Sequence, residues 1–100
     1  MDLQNFLHEN KKENLDNAAK LAGDNRKDDA IMATIRANVF DIFIQAFEIR
    51  GKLLGRLKAA WTTALTLANQ HGDTEAAAIE EIKLAVLSEI EKEVRRHDNG

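Results

Sequence analysis

The side chains able to do chemistry are few, and their spacing offers no reaction. His8, His71 and His97 are the only imidazoles, and none stands in a metal-binding spacing such as H-E-x-x-H or Glu-x-x-His. Glu93 and His97 are one helical turn apart, which suits a solvated acid–imidazole pair better than a metal site. His71 precedes a glycine, where it can meet the last carbonyls of a helix. The chain has no cysteine, so thiol catalysis and thiolate metal ligation are excluded. Without a cluster of acid, base and nucleophile no reaction class can be assigned. The expectation is a chain that is not an enzyme and uses no metal and no cofactor.

Binding chemistry has more to work with. Arg50, Lys52, Arg56 and Lys58 form a local cationic patch with no acid among them, able to hold phosphate. Nothing aromatic interleaves it, and a glutamate-rich segment downstream can neutralise it. Arg36 falls among Phe40, Phe43 and Phe47 on a helical wheel, where it can recognise a carboxylate, stack on a ring, pair with an acid of another helix, or snorkel to the surface. Asn38, Asp41, Gln45 and Glu48 make a polar line that is either the wall of a groove or the solvent side. A net charge of -3 and a pI near 5.6 give no general attraction to nucleic acid or anionic lipid.

The element that must position these groups runs from Ala30 to Ile49. At about 100° per residue, its apolar residues cover roughly 240° of the wheel, far wider than the stripe of an ordinary surface helix. Such a helix is covered on more than one side. Arg36, Asp41 and Glu48 within it argue against a membrane span. Composition agrees with one soluble all-α domain over residues 1–100: 44% hydrophobic, 31% charged, no proline, no tyrosine and five glycines. The first residues lack the basic and apolar regions of a secretory signal, so the expected setting is the cytoplasm.

Four helices are expected. The first spans Leu3 to Ala22, with its apolar stripe broken by HENKKEN. Gly23 stands where a left-handed residue would end it, and Asp24 or Asn25 can cap the second helix, whose early Asp28 and Asp29 suit its positive end. The third carries Leu53, Leu54, Leu57, Trp61, Ala64, Leu65 and Ala68 on one face, and Gly72 with Asp73 repeats the stop-and-start pair. The fourth runs from Thr74 to about Arg96, with HDNG expected to fray. Gly51 is the open joint. Either the central helix continues through it for about 45 residues and ~65 Å, or Gly51 ends it and the chain reverses; the reversal, giving two stacked antiparallel hairpins around a long central helix, is the reading adopted.

Trp61, Ala64, Leu65, Ala68, Gly72, Asp73 and Ala77 resemble the spacing of a tetratricopeptide-type helical hairpin, which implies a tryptophan opening the first helix, small residues at its contact with the second, and a Gly-Asp turn between them. Leu65 stands where that pattern has a small residue, and the closing proline is missing. Leu15, Ala19, Gly23 and Asp24 repeat Ala64, Ala68, Gly72 and Asp73 at an offset of 49 residues, where the family repeats at about 34. RANVFDIF and GDTEAAAIEEIKL resemble segments of small helical proteins of Gram-positive bacteria, which implies a fold and supplies no activity.

These residues point to a non-catalytic protein–protein interaction module that self-associates. Because HENKKEN makes the first helix a poor cover, the sector holding Phe40, Phe43, Ile44 and Phe47 is expected to stay in water in a monomer and to pair with a second copy, with Arg36 at its edge. Another protein is the other partner for that patch. A nucleic-acid or other polyanion binder through residues 50–58 is the alternative, with nucleic acid the less expected partner and membrane not expected, and an enzyme subunit completed by another chain has no residue in its favour.

Overall fold

The computed structural model describes residues 2–98. It contains α1 (Leu3–Gly23), α2 (Lys27–Gln45), a single 3-10 turn (Phe47–Ile49), α3 (Arg50–Gln70) and α4 (Thr74–Asp98), with no strand among the described residues. The chain is all-α, built of two helical hairpins. α1 lies along α2 and α3 along α4, and α4 also seats on α2. The molecule measures 40 × 35 × 18 Å, the short dimension being that of two helix layers packed with axes 8–10 Å apart. No single helix among the described residues is long and apolar enough to cross a membrane.

Local devices set the starts of α1 and α4 and the ends of α1 and α3. Asp2 caps α1, its carboxylate accepting from the Asn5 N–H at 2.7 Å, and Asp73 caps α4 in the same way through Ala76 at 3.0 Å. α1 and α3 both end in a Schellman motif. At the second joint Gly72 is the left-handed residue (φ 68°), and the Asp73 N–H reaches back to the Ala68 carbonyl at 2.8 Å.

The first joint differs from expectation. Gly23 is the last helical residue of α1, and Asn25 takes the left-handed position (φ 62°). The Arg26 N–H then donates to the Leu21 carbonyl at 2.9 Å. Asparagine tolerates that conformation, so the stop lies two residues beyond the glycine. Neither Asp24 nor Asn25 caps α2. Arg26 occupies the cap position without a capping hydrogen bond and pairs with Asp29 instead.

The central helix is also corrected. It is neither continuous through Gly51 nor reversed there. α2 stops at Gln45, and its 19 residues make it shorter than the 25-residue α4. The chain then turns by 85° into α3, leaving Gly51 in the first turn of α3. Two consequences follow for packing. α2 and α3 do not lie along each other, and α4 takes the place beside α2 that a stacked third helix would have filled. A single cluster therefore joins all four helices, from Leu3 and Leu7 through Val39, Phe40 and Phe43 to Trp61, Val86, Leu87 and Ile90.

The broken stripe of α1 is made good by polar contacts. Asn10 and Asn14 donate to carbonyls one turn back, and Lys11 crosses to Asp41 of α2 at 2.9 Å. The C-terminal end of α4 is also held. Helix continues to Asp98, whose carboxylate receives a two-pronged hydrogen bond from Arg50 at 3.0 and 3.2 Å. His97 and Asp98 are thus helical rather than frayed, and Asn99 and Gly100 lie outside the described residues.

Candidate functional site

Phe40 and Phe43, expected in a surface patch, are 1% and 0% exposed. α1 covers one side of them and α4 the other, with the Phe6 and Phe40 ring centroids 6.0 Å apart. Ile44 and Phe47 are half-buried against the same core. The patch expectation is corrected on this point: the fourth helix folds over the sector left open by HENKKEN. Arg36 is half-buried and makes no ion pair among the described residues. With no ring stacking or ion pair among the described residues, what remains is snorkelling, with the stem along the protein and the guanidinium in water, or recognition of a carboxylate from outside the chain.

The uncovered apolar surface lies a quarter-turn further round α2. Ile31 is 56% exposed, and with Met32 and Ile35 it faces Ala78 and Ile79 of α4 across a hollow of about 320 Å³, flanked by Asp28 and Glu75. Ile35 and Ile79 also border a second hollow of about 370 Å³ in the crook of the bend, where Val39 and Ile42 of α2 meet Leu57 and Trp61 of α3. The two hollows form one apolar groove along α2 and α4. Its ends differ in charge. Asp28 and Glu75 mark the end where α2 and α4 begin, and Lys83 marks the other, its ammonium 4.7 Å from the Trp61 ring centroid and 2.9 Å from Glu80. The second oxygen of that carboxylate, Oε1, is buried without a partner.

The polar line along α2 is mostly solvent side. Thr34, Asn38, Gln45 and Glu48 are exposed, while Asp41 is half-buried by its pairing with Lys11. That contact holds the Asp41 carboxyl below the usual carboxylate range. The Lys11 hydrogen bond is the largest cause, partial burial opposes it, and the Gln45 side chain adds to it. Asn38 has a second role at the rim of the groove.

The cationic patch is not brought together as one surface. Arg50 is withdrawn from it: the guanidinium donates to the Phe47 carbonyl at 3.0 Å, lies 4.2 Å from the Phe47 ring centroid and grips Asp98. Lys52 and Arg56 share one face of α3. Lys58, roughly 200° round the helix from Arg56, borders a different hollow together with Glu91.

The imidazoles are dispersed. His71 ends α3 through its backbone N–H, and His97 lies 3.5 Å from Glu93 as the pair its spacing suggests. No group of three or more His, Asp and Glu is placed to hold a metal among the described residues.

Sequence reasoning missed the groove because Ile31, Met32, Ile35 and Ile42 sat in the same wide apolar arc as the phenylalanines. Which part of that arc is covered depends on the direction of α3, and the sequence around the bend points elsewhere. One sequence signal separates part of the arc: Phe40 shares a side of α2 with small Ala33 and Ala37, where a neighbouring helix can approach closely, whereas Phe43 lies next to Met32 on the wheel. Comparison with protein families, curated proteins and solved structures finds no match to this chain.

Proposed function

We propose that this chain is a non-catalytic protein–protein interaction module of the cytoplasm that self-associates through the α2–α4 groove, the α3–α4 hairpin being its tetratricopeptide-like part. The observation that carries this reading is the groove itself. A concave, mainly apolar hollow with a few polar groups at its rim is the usual form of a binding site, and the residues around it are suited to binding rather than to proton or group transfer.

Charge supports a second copy as the occupant. A twofold axis across the middle of the groove lays the acidic end of one copy, Asp28 and Glu75, against the Lys83 end of the other. Lys83 has three donors and uses one on Glu80, so a partner carboxylate can be received. The same axis sets Ile31 of each copy toward the apolar crook of its neighbour.

Sedimentation equilibrium over the micromolar range tests this. The parent chain is expected at twice its mass at the upper concentrations. Ile31→Glu places a charge in the groove at an already exposed position, so it should leave helix content and unfolding midpoint unchanged. It should raise the dimer dissociation constant at least tenfold. A parent that stays monomeric throughout, or a variant that dimerises as well as the parent, overturns the groove as a self-association surface.

A further inference from the structure

At the joint between α2 and α3, local sequence and conformation disagree. Gln45, Ala46, Phe47, Glu48 and Ile49 include no proline and no glycine, and no side chain caps the start of α3. Ala46 (φ −112°, ψ 35°) and Ile49 (φ −110°, ψ 23°) nonetheless leave helical geometry and turn the chain by 85°. A run of this composition between two helices continues the helix by default. The other two joints are built differently, each with a left-handed residue and a backbone bond that closes the preceding helix.

What keeps this joint bent is therefore tertiary. α2 and α3 do not pack along each other, and the two hairpins are joined chiefly by α4 seated on α2, where Val39 and Phe43 share a cluster with Val86, Leu87 and Ile90. A hairpin from a second copy presents the same residues to α2. Arg50 adds a local latch, because its donation to the Phe47 carbonyl occupies an acceptor that a continuous helix uses within its own ladder.

We infer that the bend is a hinge for hairpin exchange between two copies of this chain. Residues 46–49 become helical, α2 and α3 join into one rod from Lys27 to Gln70 some 65 Å long, and each α3–α4 hairpin seats on the α1–α2 hairpin of the other chain. Every contact between the hairpins is then remade in trans, and only the joint changes. The Arg50 fork on Asp98 travels intact, since both residues belong to the exchanged hairpin.

This association is separate from groove docking. It requires the core between α2 and α4 to open, so it forms slowly and persists, whereas contact at the groove equilibrates quickly. Ile31→Glu leaves it unaffected.

The test uses the absence of cysteine from the chain. Glu9 and Glu93 border the same hollow between α1 and α4. A chain carrying both Glu9→Cys and Glu93→Cys, treated when dilute with a short bifunctional thiol reagent, shows by its intramolecular cross-link that the two sites are within reach. Chains carrying one substitution each are then mixed at high concentration, held just below the unfolding midpoint, cooled and treated. The expected product is a mixed covalent dimer that accumulates over hours and exceeds either like-with-like product.

Ala46→Gly leaves the bent form able to fold. It should weaken the exchanged dimer on the order of thirtyfold, because two joints straighten per dimer and glycine costs a helix roughly fivefold at each. No mixed product from sites shown to be within reach, like-with-like products of equal yield, or insensitivity to Ala46→Gly overturns the exchange. A rapidly reversible dimer without mixed product overturns exchange while leaving groove association standing.

Discussion

Lys11 and Asp41 show how a sequence that looks unsuitable for packing is reconciled with it. HENKKEN places charge where α1 lies against α2, and the lysine reaches across to the carboxylate with both side chains about one-third exposed (35% and 36%). Solvent at that exposure screens the pair, so its net worth is a few tenths of a kcal/mol, in the lower part of the range for surface ion pairs. The sign of its pH dependence follows from the depressed Asp41 pKa. The contribution is fully present above the ordinary aspartate value near 4 and is lost as pH falls through the lower folded value. Lys11→Met should move the Asp41 titration up toward the ordinary value and flatten the acid limb of the stability profile. Carboxyl-carbon NMR titration of both proteins measures the first, and an unmoved Asp41 would mean that its partner lies elsewhere.

At the scale of elements, the glycines divide according to backbone conformation rather than sequence context. Gly72 is left-handed, and alanine there meets open space but resists the positive φ. Gly72→Ala should therefore lose on the order of 1 kcal/mol. Gly23 and Gly55 are helical and equally open, so alanine at either should gain up to about 1 kcal/mol, with the mid-helix Gly55 gaining more. Urea unfolding midpoints of the three variants check this, and a loss at Gly23 would return the left-handed role to that residue. The helices themselves were legible in the sequence. Apolar periodicity and the paired signals at Gly23–Asp24 and Gly72–Asp73 place α1, α4, the start of α2 and the end of α3 to within a few residues, whereas α2 ends at Gln45 and not near Arg50. The bend at Ala46 was not legible, because nothing in residues 45–49 is proline or glycine and α4, which packs on α2, comes from the far end of the chain.

The direction taken at that bend decides the whole molecule. Had α3 stacked on α2, the phenylalanine sector would have depended on α1 alone for cover. With α3 turned aside by 85°, α4 closes over Val39, Phe40 and Phe43, and the surface left open is the Ile31, Met32 and Ile35 side. The wide apolar arc of α2 thus correctly signalled that more than one neighbour was needed, while its assignment of interior and exterior depended on a chain direction fixed elsewhere. Truncations on the two sides of α2 should then behave oppositely. Phe43→Ala removes a side chain with no exposure at all and should cost about 3–5 kcal/mol, a large part of the stability of a domain this size. Ile31→Ala removes one that is more than half exposed and should change monomer stability by no more than about 0.5 kcal/mol. Because association adds its own stabilisation to the folded state, both measurements belong at concentrations where the chain sediments as a monomer. Raising the concentration should then stabilise the parent and leave Ile31→Ala behind, the gap widening as the dimer fills. A midpoint for the parent that does not move with concentration would place Ile31 on an idle surface. Equal losses from the two truncations would mean that α4 does not cover the phenylalanines in solution.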